Sequence, residues 1–149
     1  MSNSTKTRQA DRVPAATKME WHVFDAKDKV LGRLATKVAG LLLGKHRLDF
    51  ASNRVAPVSV VIINTDQVAL TGRKELQKVY YRHSGYPGGL KQRTVAEQRR
   101  KDSRRIVHDA VAGMLPKNSL RTERLGHLRL YAGSEHPHQA QINLKADQE

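Results

Sequence analysis

The sequence predicts an α/β protein with a parallel sheet, because a strand pattern, a helix pattern and a second strand pattern follow one another. Residues 21–25 alternate large apolar and polar side chains, the period of a half-buried strand. Val58–Ile63 is nearly continuous β-branched sequence, which is typical of a parallel strand buried on both faces. A helix between two such strands makes a βαβ unit, and this unit indicates the α/β class.

The helix of this unit is predicted from apolar residues that recur at steps of three and four, as on one face of a helix. They are Leu31, Leu34, Ala35, Val38, Leu41 and Leu42. Gly44 follows as the expected C-cap, and Lys45, His46 and Arg47 stand beside the negative end of the helix dipole.

The later elements are predicted from short local signals. Thr94 and Glu97 form a capping box that starts one helix. Ser103 is the expected cap of a second helix, which Gly113 and Pro116 end. The remaining expectations, in chain order, are a short segment at 68–70, a strand at 79–81, an exposed loop at 84–89, a short helix at Leu120–Gly126 and a strand at 128–131.

The length of 149 residues predicts one domain, assigned to residues 20–141. Residues 1–19 are expected to form a basic, flexible N-terminal arm, and residues 142–149 a polar C-terminal tail. The arm has no apolar core of the secretory type, but an organelle transit peptide has a similar Ser/Thr-rich and basic composition, so both interpretations stay open. The longest apolar runs are far shorter than the roughly 18 residues of a membrane span, and we expect no membrane association.

The charge of the chain points to a polyanionic partner. Lys and Arg number 27 and Asp and Glu number 14, which gives a formal net charge of +13 and a pI near 10.4. Such a surplus repels itself unless a polyanion neutralises it, and this favours nucleic acid over an acidic membrane surface. The chain has no Cys, so disulfide scaffolds, thiolate zinc sites and cysteine nucleophiles are excluded, and a reducing cytosol fits.

Most of the surplus lies in one segment, residues 71–108. It contains eleven Lys and Arg against three Asp and Glu, a net charge of +8 in 38 residues. Few acids at four-residue spacing offset these cations, so phosphate neutralisation is the favoured interpretation. The cations are Arg73, Lys74, Lys78, Arg82, Lys91, Arg93, Arg99, Arg100, Lys101, Arg104 and Arg105.

This basic segment brackets a loop rich in glycine and tyrosine. Gly88 and Gly89 allow the backbone to approach a phosphate closely. Tyr80, Tyr81 and Tyr86 offer flat faces on which an unstacked base lies well. Because neighbours on a strand face opposite ways, we expect one of Tyr80 and Tyr81 to belong to the core. A merely solvated loop is the plainer alternative.

Signatures of catalysis and of metal binding are scarce. The loop at 85–89 is neither a Walker loop nor a G-x-G-x-x-G turn. Asp25 is a single carboxylate at a strand end, and its expected role is to cap the next turn. Glu135, His136 and His138 lack a third and fourth partner for a metal ion nearby. We therefore predict a protein that is not an enzyme and has no metal, cofactor or small-molecule substrate.

A helix-turn-helix DNA-binding protein is the alternative function. Residues 103–112, a turn at 113–116 and residues 119–126 have suitable lengths, and Arg121 and Arg124 would reach base edges. Against this, the densest charge lies upstream of the candidate recognition helix, and the βαβ unit has no role in that design.

Five motifs, taken together, resemble the bacterial-type large-subunit ribosomal proteins of the L-thirteen family. They span residues 21–141, nearly all of the predicted domain. The blocks are WHVFD at 21–25 with LGRLA at 31–35, GKH at 44–46, VYYRHSGYPGGLK at 79–91, VAGMLPKN at 111–118 and LYAGSEHPH at 130–138. Residues 51–58 depart from the family pattern because they lack its aspartates and glycine, and Arg121 stands where a glycine is common.

The resemblance implies a three-layer α/β/α fold and a structural role in the large ribosomal subunit of the cytoplasm or of an organelle. Its partners would be large-subunit ribosomal RNA and neighbouring ribosomal proteins, with a part in early subunit assembly. Residues implied to contact RNA are Arg33, Lys45, His46, Lys78, Arg82, His83, Lys91, Lys117, His136 and His138. Charge, loop composition and position add Arg73, Lys74, Tyr86, Gly88, Gly89, Arg93, Arg99, Arg100 and Arg121.

Overall fold

The computed structural model describes residues 19–142, so the arm predicted at 1–19 and the tail predicted at 142–149 lie almost wholly outside the described residues. The described elements are β1 (Glu20–Asp25), α1 (Leu31–Leu43), β2 (Val58–Ile63), α2 (Lys74–Gln77), β3 (Val79–His83), β4 (Leu90–Thr94), α3 (Val95–Asp102), α4 (Arg104–Met114), α5 (Leu120–Gly126) and β5 (Leu128–Leu130). Two short 3₁₀ turns, Thr65–Gln67 and Gln139–Gln141, complete them.

The main sheet has three parallel strands in the order β1-β2-β5, which confirms the α/β class. Val23 pairs with Val61, and Val60 pairs with Leu128. All residues of β2 except Ile63 are buried, as expected for the central strand of a parallel sheet. The segment predicted at 68–70 contributes one isolated parallel bridge, between Val30 and Ala69.

The two faces of this sheet are covered differently. Val58, Val60 and Ile62 point toward one face, where they share the apolar core with α1 and α4. Trp21 and Val61 lie on the other face, since residues at matching register in parallel strands point the same way. The aromatic ring of Trp21 lies 5.1 Å from that of His138, so residues that follow β5 return to this second face.

The predicted boundaries of α1 are confirmed. The helix buries Leu34, Val38 and Leu42 on the side of the core. It ends at Gly44, which adopts the left-handed conformation with φ of +79° and donates its N–H to the carbonyl of Leu41. Here glycine is required, because a Cβ would lie 2.6 Å from the Cβ of Ala56.

The predicted capping box of α3 is also present. Thr94 Oγ1 accepts from the N–H of Glu97, and the Thr94 N–H donates to the Glu97 carboxylate. Ser103 does precede α4, but its hydroxyl lies 3.2 Å from Thr65 Oγ1 and caps nothing. Asp102 takes that role, since its Oδ1 accepts from the Arg104 N–H at 3.1 Å.

A second, two-stranded sheet lies outside the main one. β3 and β4 pair antiparallel from Val79 opposite Thr94 to His83 opposite Leu90. β4 was not predicted, because its sequence LKQRT carries almost no apolar signal and its residues are nearly all exposed. Its partner strand β3 supplies the backbone hydrogen bonds that its composition does not favour.

Candidate nucleic-acid interface

The β3–β4 hairpin presents one strongly basic face. Arg82 stands directly opposite Lys91, and Tyr80 stands opposite Arg93. Side chains at alternate positions of a strand share a face, so these four residues lie on the same side of the hairpin. Like charges placed opposite each other destabilise an isolated hairpin. The arrangement becomes favourable when a polyanion lies across it.

The two neighbouring tyrosines of β3 differ in burial, as expected. Tyr80 is half-buried against the core, and the Nζ of Lys78 lies 5.0 Å from its ring centroid. Burial, and secondarily the negative charge of Asp109, raises the pKa of the Tyr80 hydroxyl. Tyr81 is 65% exposed. Burial therefore separates the pair: the ring of Tyr80 belongs to the core, and the ring of Tyr81 is open to solvent.

The loop between the strands is a defined turn. The N–H of Gly89 donates to the carbonyl of Tyr86 at 2.9 Å, and Gly88 has φ of +71°. Pro87 at the second position and a glycine with positive φ at the third are the signature of a type II turn. A Cβ on Gly89 would lie 2.8 Å from the Tyr86 carbonyl oxygen, so only glycine fits. The turn holds the ring of Tyr86 at the tip, 76% exposed.

Most cations of the basic segment are free of carboxylates. Within residues 19–142, Arg99, Arg104 and Arg105 lie within 4.0 Å of a carboxylate oxygen. The other eight have no such partner among the described residues: Arg73, Lys74, Lys78, Arg82, Lys91, Arg93, Arg100 and Lys101. These positive charges remain available to phosphate.

The base of the hairpin adjoins the N-terminal end of α1. Lys74, Lys78 and Gly32 line one open groove of about 430 Å³, together with apolar side chains such as Leu70 and Met114. Arg33 follows Gly32 and is exposed. The structure thus brings Gly32, the neighbour of Arg33 in the chain, into the same groove as Lys74 and Lys78.

Two of the residues predicted to contact RNA make hydrogen bonds within the protein. Arg99 donates to the backbone carbonyls of Asp66 and Val68, at 3.2 and 3.1 Å. Arg121 donates to the carbonyl of Ala112. Both side chains are partly buried, so their guanidinium groups hold the scaffold together. Arg100, beside Arg99, is exposed and makes no such bond within the described residues.

Two predicted contacts, Lys45 and His46, lie at the opposite end of α1, roughly 20 Å away along a 13-residue helix, and two others, His136 and His138, lie beside aromatic rings on the second face of the sheet. Lys45 is exposed, and the Nε2 of His46 lies 3.2 Å from the Oε2 of Glu20. The His138 ring contacts Trp21, and the ring of His136 lies 6.2 Å from that of Tyr131. Lys117 is exposed after α4. The structure therefore separates these residues from the hairpin and places Lys45 and His46 apart from His136 and His138.

The candidate recognition helix of a helix-turn-helix protein is α5, and its arginines do not suit that role. Arg124 is only 1% exposed and donates toward the backbone carbonyls of Ser52 and Arg54. Arg121 is bonded to Ala112 as described. A recognition helix needs side chains that project into the major groove, and these two do not project.

Asp25 serves the turn that follows β1. Its Oδ1 accepts from the Lys27 N–H and from the Asn64 side-chain amide, each at 2.9 Å. Burial raises the pKa of this carboxyl, but these hydrogen bonds and the nearby Lys29 outweigh burial and hold the pKa below its ordinary value. The carboxylate thus fixes local structure.

No helix within residues 19–142 is both long and apolar enough to cross a membrane.

Comparison with known proteins gives a consistent family. The model of the family described as "Ribosomal protein L13" matches residues 19–137. The protein named "Large ribosomal subunit protein uL13" from Beutenbergia cavernae is 53% identical over 128 residues, which cover 86% of this chain and 87% of the relative. The proteins of the same name from Mycobacterium avium and Halorhodospira halophila are 52% and 48% identical, over 84% and 86% of this chain and 85% and 90% of their own lengths. The family consists of structural ribosomal proteins and is not enzymatic. On a match of this extent and identity, the chain belongs to the ribosomal protein L13 family.

Proposed function

We propose that the chain is a structural constituent of the large ribosomal subunit, where it binds ribosomal RNA and supports early subunit assembly. Membership of a family whose relatives are named as large-subunit proteins carries this proposal. The unpaired cations and exposed tyrosines of the β3–β4 hairpin support it independently, because they are groups that phosphates and unstacked bases bind. Neighbouring ribosomal proteins are its further expected partners.

The proposed mechanism has two parts. Arg82, Lys91 and Arg93 neutralise phosphates on the basic face of the hairpin, while Tyr81 and Tyr86 stack on bases that have left a helix. The α/β core holds this hairpin in one shape through Tyr80 and through α3. RNA segments that repel each other are thereby held together, and this is how the protein favours assembly.

The remaining predicted residues extend this surface. Arg73, Lys74, Lys78 and Arg33 continue it along the groove, with Arg100 and Lys117 as further phosphate contacts. The proposed contacts at the tip of the hairpin are the backbone of Gly88 and Gly89 and the side chain of His83, which lies beside the turn. Lys45 and His46 form a second contact region after α1, His136 and His138 form a third beside Tyr131 and Trp21, and Arg99 and Arg121 support the first.

The assignment to the ribosome is tested by sedimentation of lysate from the source cell at high and low magnesium concentration. We expect this chain to migrate with the large subunit under both conditions and with the intact ribosome at high magnesium. If the chain is missing from the large-subunit fractions at both magnesium concentrations, the proposal is wrong. Matched-salt footprinting on ribosomal RNA and on duplex DNA separates it from the DNA-binding alternative, which predicts a preference for DNA.

The contact surface is tested by Arg82→Ala combined with Lys91→Ala. We expect affinity for ribosomal RNA to fall about 10- to 100-fold, since two charge-assisted contacts are lost. The melting temperature should stay nearly unchanged, because neither side chain has a partner within the described residues. The matched control is Lys27→Ala with Lys37→Ala, which removes two exposed charges elsewhere. Equal affinity of both double variants would place the contact surface away from the hairpin.

A further inference from the structure

Three side chains with metal-binding atoms meet at the start of β1, outside the hairpin region. They are Glu20, His22 and His46, and their ligand atoms all lie within 4.8 Å of one another. Glu20 and His22 stand two residues apart on one strand and so point to the same side of the sheet. His46 comes from the turn that Gly44 starts at the end of α1. Two different elements thus supply the set.

The distances already resemble those of a coordinated ion. The Oε2 of Glu20 lies 3.2 Å from the Nε2 of His46 and 3.9 Å from the Nε2 of His22. Zinc bound by nitrogen and oxygen at about 2.0–2.1 Å in a tetrahedron separates neighbouring ligand atoms by roughly 3.3 Å. The Glu20–His46 separation already matches this value, and the His22 ring needs to move closer to Glu20 by about 0.6 Å to complete the set.

A second observation points to a missing partner at this place. The Nε2 of His22 is shielded from solvent and has no hydrogen-bond partner among the described residues. Buried polar atoms in folded proteins are normally satisfied, and an exception calls for a bound water or ion. A metal ion at the position defined by Glu20 and His46 satisfies this nitrogen.

The local charge balance permits a cation. Arg47 contacts the other oxygen of Glu20, Oε1, and also bonds to Asp49 at 2.8 Å. The side-chain hydrogen bond from Arg47 lowers the pKa of the Asp49 carboxyl, so Asp49 is ionised. The carboxylates of Glu20 and Asp49 and the guanidinium groups of Arg47 and Arg54 balance each other, so these four groups add no net charge beside the two imidazoles. The Oε2 of Glu20 remains directed at the two histidines.

We propose that Glu20, His22 and His46 form a binding site for a divalent transition-metal ion, Zn²⁺ as the ion that best suits two imidazoles and one carboxylate. The three side chains are 28% to 41% exposed, so solvent supplies the fourth ligand. The bound ion ties the first residues of β1 to the turn after α1. It stabilises the protein and is independent of the proposed RNA contact surface on the hairpin, and a metal ion on the Nε2 of His46 takes that atom out of the second contact region.

The test uses the full chain, freed of nucleic acid, with Co²⁺ as a spectroscopic probe and Zn²⁺ as competitor. We expect one equivalent of Co²⁺ to give the visible absorption of a four-coordinate ion, and Zn²⁺ to displace it. Zn²⁺ should also raise the melting temperature. Glu20→Gln, His22→Gln and His46→Gln should each weaken binding at least about tenfold. His108→Gln is the control, because His108 lies on α4 and contacts Asp109.

A rescue variant keeps the test decisive even where a ligand variant loses stability. The chain has no Cys, so His46→Cys places its one thiolate at the site. It should bind Co²⁺ with an additional sulfur-to-metal charge-transfer band, which reports coordination by residue 46 directly. Binding that His22→Gln leaves unchanged, binding lost equally in His108→Gln, or a His46→Cys variant without that band would overturn the site.

Discussion

Gly44 shows how one residue decides where α1 ends. Its φ of +79° costs an L-residue roughly 1–2 kcal/mol, and an added Cβ meets Ala56 at 2.6 Å. We therefore expect Gly44→Ala to lower the melting temperature by several degrees. Gly113→Ala is the matched control, since Gly113 lies inside α4 with nothing near an added Cβ, and alanine there stabilises by up to about 1 kcal/mol. Thermal unfolding of both variants checks the prediction, and an unchanged Gly44→Ala variant contradicts it.

Asp102 links stability to pH. Its carboxylate accepts from the Arg104 guanidinium at 2.9 Å, and chiefly this bond lowers the pKa of Asp102 below its ordinary value of about 3.9. Because its pKa is lowered in the folded state, the Asp102 carboxylate stabilises the fold at any pH above its ordinary pKa. That stabilisation disappears as the pH falls through the folded-state pKa.

The corresponding variant is Asp102→Asn. We expect it to be less stable than the parent in urea unfolding at neutral pH, and the difference to shrink as the pH falls from about 4. Asp28→Asn is the control: Asp28 has a left-handed φ of 56°, which asparagine tolerates, and its carboxylate has no bond within the described residues. A difference between Asp102→Asn and the parent that does not depend on pH would show that Asp102 acts only as a helix cap.

At the level of elements, the side chain of Arg99 links α3 to neighbouring segments of the chain. Its guanidinium connects α3 to the backbone around Thr65–Gln67 and reaches Glu75 of α2 at 3.6 Å. Arg100 belongs to the same helix but is exposed. We expect Arg99→Ala to cost about 1–2 kcal/mol of unfolding free energy and Arg100→Ala almost none. RNA affinity should fall in Arg100→Ala without loss of stability. Urea unfolding and filter binding on this adjacent pair measure both effects, and equal stability of the two variants would refute the assignment.

The hairpin illustrates the limit of local patterns at the level of elements. β1, α1 and β2 follow from apolar periodicity, and the start of α3 follows from Thr94 and Glu97. β4 does not, because its polar residues become a strand only through pairing with β3. Its basic face is nevertheless anticipated by the charge count, since the number of cations does not depend on the conformation that carries them.

The whole molecule has a formal net charge of +13. Added salt should therefore have opposite effects on its stability and on its affinity for RNA. Screening reduces self-repulsion, so added salt should raise the melting temperature of the free protein. The same salt should weaken RNA binding, with log K falling against log salt at a slope near −5 if about six phosphates of a duplex are contacted. The Arg82→Ala and Lys91→Ala double variant should lower that slope by up to about 2, and the Lys27→Ala and Lys37→Ala control should not. A slope near zero would contradict phosphate neutralisation.

The sequence by itself determined the charge surplus, the βαβ unit, the left-handed end of α1 and the motifs of the family. These depend on composition or on residues within a few positions of one another, where periodicity and capping rules apply. The tertiary structure decided which tyrosine of β3 is exposed, that Arg99 and Arg124 face the protein, and that Glu20 meets His46 across 26 residues. Contacts of this kind depend on how strands and helices pack, and no local pattern records that packing.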